Sequence, residues 1–263
     1  MNAIALTPAD LIVASALIVF DAILSLILRL NLHRQLVWAA IRMVVQLIAV
    51  GYILRWVFSM HHPGLTVLVV VVMSIIAARE IAARPERKFK GWVGLTISGV
   101  GVALATVVTV GLALTTAIRP TPWYDARYAI PLAGIVLGSV LNAGSLTLDT
   151  LLGDARREKS SIEAQLALGV TYAAAMAPLL RNSVRRGLLP IINQMSAAGL
   201  ITLPGIMTGQ IIAGEDPIEA VKYQILLMFL LAGASGLTGL TVAGLAAHQL
   251  SDGRQRLRLG KLR

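Results

Sequence analysis

The residues of this chain that could do chemistry are few, and most of them lie inside long apolar runs. Asp21 and Arg42 sit in the first and second such runs. At 1.5 Å per residue they lie roughly 13 Å and roughly 10 Å from the inner ends of those runs. Similar depth permits an ion pair between consecutive helices. A lone charge there costs about 2.5–3.5 kcal/mol, so a pair or a wet cavity is expected. Two readings stand: a structural pair with Arg42 snorkelling to the inner face, or Asp21 and Ser25, one turn on, as oxygen ligands for a cation. Further along, Pro204-Gly205 interrupts an apolar run near mid-depth. A break there frees backbone carbonyls, which is tolerated only against protein or a water-lined cavity. Asn193, Ser196, Gly199, Leu203, Met207 and Gln210 follow a helical spacing around it and make a small or polar face. That face is either a translocation pathway lined by Asn193, Met207, Thr208 and Gln210, or a kink with its polar groups bonded across helices. The thioethers of Met43, Met73, Met195, Met207 and Met228 would suit soft metals. Core filling is the expectation for all but Met207. His61-His62 reads as a loop turn, because adjacent side chains point apart. With no cysteine, no H-E-x-x-H, no G-x-S-x-G and no paired carboxylates within a run, the chain offers no enzyme active site.

These residues need membrane elements to hold them. Of the 263 residues, 57% are hydrophobic and 14% charged, with a mean hydropathy of +0.78. This is the composition of an all-α polytopic membrane protein. Apolar stretches predict about seven transmembrane helices, near 8–30, 36–58, 64–82, 91–118, 128–149, 188–212 and 217–248. The first lacks a basic leader and a cleavage site, so it is expected to be a retained helix. With these spans, 18 of the 23 Lys and Arg residues fall on one side. That bias predicts an N-terminus outside, a C-terminus in the cytoplasm, and a multi-pass protein of the inner (plasma) membrane. The net charge of +10 is thereby topogenic and suits anionic lipid. Aromatics do not interleave with the basic residues, which argues against nucleic acid. Thr7-Pro8-Ala9-Asp10 and Asp216-Pro217 read as helix starts. Trp123, Tyr124 and Tyr128 fit an interfacial aromatic belt. Gly134-x-x-x-Gly138 and Gly205-x-x-x-Gly209 are small-residue packing motifs.

The chain reads as one transmembrane permease domain, 1–263, with a charged cytoplasmic segment at 151–187. Ser160-x-x-Glu163 has the form of a capping box and predicts a helix start near Ser161. Ile162, Leu166, Val170, Ala173, Ala177, Leu180, Val184 and Leu188 then recur at helical spacing and predict one apolar stripe. Pro178 is expected to kink or split this run. Within it, Glu163-Ala164-Gln165-x-x-x-Gly169 resembles the E-A-A-x-x-x-G loop of ABC-transporter permeases, with Gln165 in place of the second alanine. In that family the loop inserts into a cleft on the ATP-hydrolysing subunit. The nearest Leu-Pro, Leu189-Pro190, comes later after the glycine than the family pattern has it. The bare alternative is that Glu163 only completes the capping box. No G-x-x-x-x-G-K-[ST] occurs, so any ATP-driven function needs a partner subunit.

A second resemblance spans nearly the whole chain. Gly199–Gly214 (GLITLPGIMTGQIIAG), Ile130-Pro131-Leu132-Ala133-Gly134 with Leu137-Gly138, Arg42 with Gln46-Leu47 and Gly51-Tyr52, Arg79-Glu80-Ile81, and Asp216-Pro217 with Tyr223-Gln224-Ile225 are similar to the FetB-type ABC transporter permease family. That family includes metal (iron) export permeases and plant permeases linked to aluminium tolerance. Ser139 stands where an asparagine is expected, with Asn142 one turn on, and Ile206 stands where a methionine is usual. The resemblance implies a homodimeric permease with two separate ATPase subunits, ATP-Mg bound on the partner and no cofactor in this chain. It also implies outward transport of an iron-like metal ion and adds Gln46, Asn142 and Pro204 to the pathway candidates. The residues alone leave a partner-independent secondary transporter or channel for a cation or small solute open.

Overall fold

The computed structural model describes residues 7–60, 62–122, 124–252, 254 and 256–262. His61 and Trp123, and with them the expected loop turn and one belt aromatic, lie outside the described residues. The described chain is helical throughout, with no strand, and divides into two compact units. Six of its helices are long and apolar enough to cross a membrane.

The first unit is built from residues 1–62 with 212–214. It holds a hairpin of α1 (Pro8–Ile27) and α2 (His33–Met60). Thr7 caps α1: its hydroxyl accepts from Asp10 N–H, and the Asp10 carboxylate accepts from Thr7 N–H at 2.8 Å. Between the helices, Leu32 N–H donates to Ser25 Oγ at 3.0 Å, so the Ser25 hydroxyl closes the turn. Ala22, Ser25 and Val57 are buried, and the rest of the hairpin is largely apolar and exposed, with Leu17 and Trp38 both about two-thirds exposed. An unpaired helix of this kind is stable only in lipid or against a partner.

The second unit carries α3 (Pro63–Ala83), α4 (Val93–Leu112, continued by a π-helical turn over Ala113–Ile118), α5 (Ala126–Arg157), α6 (Lys159–Ala167), α7 (Tyr172–Ala197), α8 (Gly205–Ala213) as far as Ile211, and α9 (Pro217–Gln249). Helix α5 is the hub and packs against α3, α4, α7 and α9. Small residues allow this. A Cβ added at Gly187 of α7 would overlap the Thr147 hydroxyl of α5 and lie 2.8 Å from the Ala143 carbonyl oxygen. The two backbones therefore touch at Gly187. Asp216 caps α9, accepting from Ile218 N–H at 2.8 Å and Glu219 N–H at 3.2 Å. Met73, Met195 and Met228 fill core gaps, as expected. Of the small-residue motifs, a Cβ added at Gly134 would lie 3.3 Å from Met73 Cε, whereas one added at Gly138, Gly205 or Gly209 would meet nothing within 4 Å among the described residues.

Three expectations change. The stretch 188–212 is not one helix: α7 runs through Pro178 and Pro190 to Ala197, and α8 begins at Gly205. Between them Gly199 takes φ +81° and its N–H donates to Thr202 O, so the break falls five residues before Pro204. Pro178 does not split the helix: it stands in the second turn of α7, where its missing N–H removes only the bond to the Ala174 carbonyl, and the helix runs on past it. The apolar stripe also shifts. Tyr172, Met176, Leu179, Ser183, Gly187 and Ile191 are buried, while Ala177, Leu180, Val184 and Leu188 lie half-buried beside them. The turn before α7 resets the register, and the closest approach to α5 selects small side chains.

Candidate functional site

Two features of the second unit could act: an exposed helical corner and a polar cavity. At the corner, α5 passes into α6 through Glu158. Its N–H donates to Asp154 O, and its carbonyl accepts from Ile162 N–H. The chain thus stays in a helical turn, and no free N-terminus exists for Ser160 to cap. The capping box is not formed, since Ser160 lies inside α6, which has no side-chain cap. The Glu163 carboxylate instead stands 3.6 Å from Lys159 Nζ with both side chains half in solvent, a pair of little energetic weight.

The end of α6 explains Gly169. Gly169 N–H donates to Leu166 O and Val170 N–H to Gln165 O, and Gly169 has φ +88°. This is a Schellman closure, in which the glycine adopts the left-handed conformation that a side chain would disfavour. Thr171 then caps α7 through Ala174 N–H. Ile162 anchors the corner with no exposed surface, whereas Leu168 is 86% exposed. Glu163 and Ala164 face outward and Gln165 is half-buried. The result is a rigid, two-turn helix with a bare apolar tip.

Neighbouring elements brace the corner. The buried Asp154 carboxylate accepts from Asn182 Nδ2 at 2.8 Å and from the Arg157 guanidinium, tying α5 to α7. After α9 the C-terminal segment folds back. Arg258 N–H donates to Leu250 O at 2.7 Å, Lys90 N–H to Lys261 O at 2.9 Å, and Leu259 is buried. This segment and α6 together line a cavity of about 460 Å³ that includes Lys159 and Glu163. Asp252 is its knot: the carboxylate accepts from the N–H groups of Arg256 and Arg254, both at 2.9 Å, and meets the guanidinium groups of Arg256 and Arg258. The Arg256 N–H is the first cause that holds its carboxyl down at about 2. The folded value lies below the ordinary one of about 3.9, so the order it confers is complete above about pH 4 and lost as pH falls through about 2. Hydrogen exchange of the 250–262 segment, corrected for intrinsic rate, should show equal protection at pH 7 and pH 4 and a loss near pH 2. Asp252→Asn should lack that protection at every pH. At the root of α7, Tyr172 donates to Ala247 O at 2.8 Å, and burial pushes its phenol up to about 12.

The polar cavity lies where α5, α7 and α9 meet. It has a volume of about 200 Å³ and is lined by Ile135, Ser139, Asn142, Ala143, Gly187, Pro190, Ile191, Gln194, Leu231 and Ser235. Ser139 Oγ and Ser235 Oγ are 2.8 Å apart and hydrogen-bonded, and Asn142 and Gln194 stand at the open side. Pro190 has no N–H, which leaves the Arg186 carbonyl without its helical donor. One turn beyond Asn142, the buried Thr147 hydroxyl has no hydrogen-bond partner among the described residues. The lining is neutral: hydroxyls and amides that can solvate an ion or polar solute in passage but carry no charge to hold it. Among the described residues no group of three or more His, Asp or Glu could hold a metal.

The pathway candidates are thus dispersed. Asn142 lines the cavity. Asn193 is exposed on α7, one residue from Gln194, and does not line it. Pro204 precedes α8, on which Met207 and Thr208 are half-buried, and Thr208 Oγ1 donates back to Pro204 O at 3.2 Å. Gln210 Oε1 is buried without a hydrogen-bond partner among the described residues. Asp21, Arg42 and Gln46 are exposed on the α1–α2 hairpin of the first unit. Ser139, Gln194 and Ser235 are cavity residues that sequence reasoning missed. The one available signal was the Ser139/Asn142 spacing on one face of a helix.

Comparison with known proteins adds to this geometry. A family model described as "Uncharacterised protein family (UPF0014)" matches residues 8–250. A UPF0014 membrane protein of Synechocystis is 38% identical over 232 residues, covering 87% of each chain. The protein named "Probable iron export permease protein FetB" of Escherichia coli (strain K12) is 31% identical over 266 residues, covering 100% of this chain and 99% of that one. "Protein ALUMINUM SENSITIVE 3" of Arabidopsis thaliana is 28% identical over 230 residues, covering 87% of this chain and 82% of its own. No solved structure matches the chain.

Proposed function

The chain belongs to the UPF0014 family of membrane proteins, and from that premise we propose that it is the permease subunit of an ATP-driven ABC transporter that exports an iron-like metal ion. Two copies would assemble with two separate ATPase subunits in the plasma membrane, with the N-terminus outside and the C-terminus in the cytoplasm. The metal class rests on the relative named as an iron export permease. The observation that carries the ATPase partner is the α6 corner. It is a short helix with exposed Glu163, Ala164 and Leu168, closed by Gly169 and braced from three sides. The chain itself has no nucleotide-binding loop.

Helix α7 supplies the coupling in this reading. It leaves the corner at Tyr172 and reaches the cavity at Gly187, Pro190 and Gln194 without interruption. That is about 33 Å of continuous helix from Tyr172 to Gln194. A displacement of α6 would arrive at the neutral cavity as a movement of one wall. The lever ends at Ala197, so a push on Glu163, passed through the turn at 168–171, reaches Gln194 along α7 but not Met207.

Glu163→Lys and Gly169→Trp should each abolish stimulation of the ATPase by the permease in proteoliposomes, with normal expression and membrane insertion. The first reverses the charge on the docking face; the second places a large side chain at a left-handed residue. Full stimulation by both variants would sink the docking role. Gradient-driven metal transport by the purified permease alone would replace this reading with a partner-independent transporter.

A further inference from the structure

A third cavity, of about 330 Å³ and lined by charged side chains, opens beside the α5–α6 corner and is not used by the proposed transport cycle. Four guanidinium groups line it, those of Arg87, Arg156, Arg157 and Arg186, against the carboxylates of Glu86 and Asp149. Asp149 is engaged, since its Oδ1 accepts from Glu86 N–H at 2.9 Å. Arg157 is paired with Asp154. Arg87, Arg156 and Arg186 have neither an ion pair nor a hydrogen bond from their side chains among the described residues. Against these three guanidinium groups stand only the carboxylates of Glu86 and Asp149, so the lining keeps a net positive charge that an anion with several oxygens would neutralise. Guanidinium forks match phosphate oxygens in pairs.

The depth of the cavity indicates where such an anion would come from. Helix α5 has 32 residues and starts at Ala126, so it is about 48 Å long against a hydrocarbon core of about 30 Å. The core is spent near residue 146, which puts Asp149 and Thr150 in the headgroup layer and Arg156 about 15 Å past the core, within reach of that layer only through its long side chain. An independent count gives the same level: α3 runs 21 residues from Pro63 to Ala83, about 31 Å, and Glu86 and Arg87 come just after its end. We propose that this cavity binds the phosphate of an anionic phospholipid headgroup. The reading rests on membrane insertion and not on the ATPase partner, and it uses the leaflet where basic residues collect. Bound there, one lipid would bridge the α3–α4 loop, α5 and α7, and so stiffen the frame behind the corner.

The test is thermal unfolding of the whole purified permease in a neutral detergent, with phosphatidylglycerol, phosphatidylcholine or 10 mM-scale inorganic phosphate added. Phosphatidylglycerol should raise the Tm of the native protein by about 5 °C, and phosphatidylcholine and inorganic phosphate by less than about 1 °C. Arg156→Gln/Arg186→Gln should lose the shift, while Arg127→Gln, at the other end of α5, keeps it. An equal shift in the double glutamine variant, or with phosphatidylcholine, overturns the site; an equal shift with inorganic phosphate overturns the lipid as its source. Should the glutamine pair unfold, Arg156→Lys/Arg186→Lys retains the charge without the fork. Co-purified phosphatidylglycerol, counted by mass spectrometry, should then fall at least about twofold, and native retention overturns the proposal.

Discussion

Gly187→Leu should yield little folded permease, and Gly187→Ala should lower stability by about 2–3 kcal/mol. The reason is geometric. A Cβ at this position overlaps the Thr147 hydroxyl, lies 2.8 Å from the Ala143 carbonyl oxygen and 3.3 Å from Thr147 Cβ. The hydroxyl could turn away, but the carbonyl belongs to the backbone of α5 and cannot move without the helix. Relief therefore requires α5 and α7 to separate, and α5 is the helix on which α3, α4 and α9 also pack. Thr147→Ala in the same chain should recover part of the loss and no more, because the carbonyl contact stays. Thr147→Ala alone should cost little, since its buried hydroxyl makes no hydrogen bond among the described residues. Thermal unfolding in detergent of the two single variants and the double variant measures this coupling. Additive losses would show that Gly187 is not a close-contact position.

Asn142→Leu should reduce metal transport at least about tenfold, some 1.4 kcal/mol in barrier, while ATPase stimulation through the α6 corner persists. Asn142 presents an amide to a cavity whose other polar groups are Ser139, Ser235 and Gln194. Leucine has the same branching and the same number of heavy side-chain atoms but is bulkier, so Asn142→Ala, which opens the cavity, serves as the companion variant and should lose transport as well. Ser139→Ala is milder, because it removes one hydroxyl bonded to Ser235 at 2.8 Å, a loss of about 1 kcal/mol. Asn193→Leu is the internal control: this residue stands next to Gln194 on α7 and outside the lining. Proteoliposome uptake and ATP hydrolysis, measured on the same preparations, separate the two effects. Equal transport by the Asn142 and native proteins would remove the cavity from the pathway.

Much of this architecture is legible in the chain because membranes impose simple rules. Apolar length finds α1 to α5 and α9, and Thr7, Asp10 and Asp216 cap helices where local hydrogen-bonding chemistry says they should. The failures are equally physical. The Ser160/Glu163 spacing has the form of a capping box, yet α5 runs on into α6 and no orphan N–H remains to be capped. The 188–212 stretch has the length of a span, yet Gly199 and the bonds around Ala197 and Thr202 end α7 early. Helix signals report what a segment can form alone, and neither error can be seen without knowing where the previous helix stops.

By itself, then, the sequence determined that the chain is helical, lies in a membrane, carries no G-x-x-x-x-G-K-[ST] motif and holds a short helix that ends at Gly169. These properties follow from local backbone chemistry and from composition. Only the tertiary structure decided which polar residues share a cavity. Ser139 and Ser235 lie 96 positions apart and Gln194 stands on a third helix, so no spacing rule relates them. They meet because Gly187 lets α7 touch α5, and a contact set by the shape of two backbones leaves no periodic trace in the order of residues.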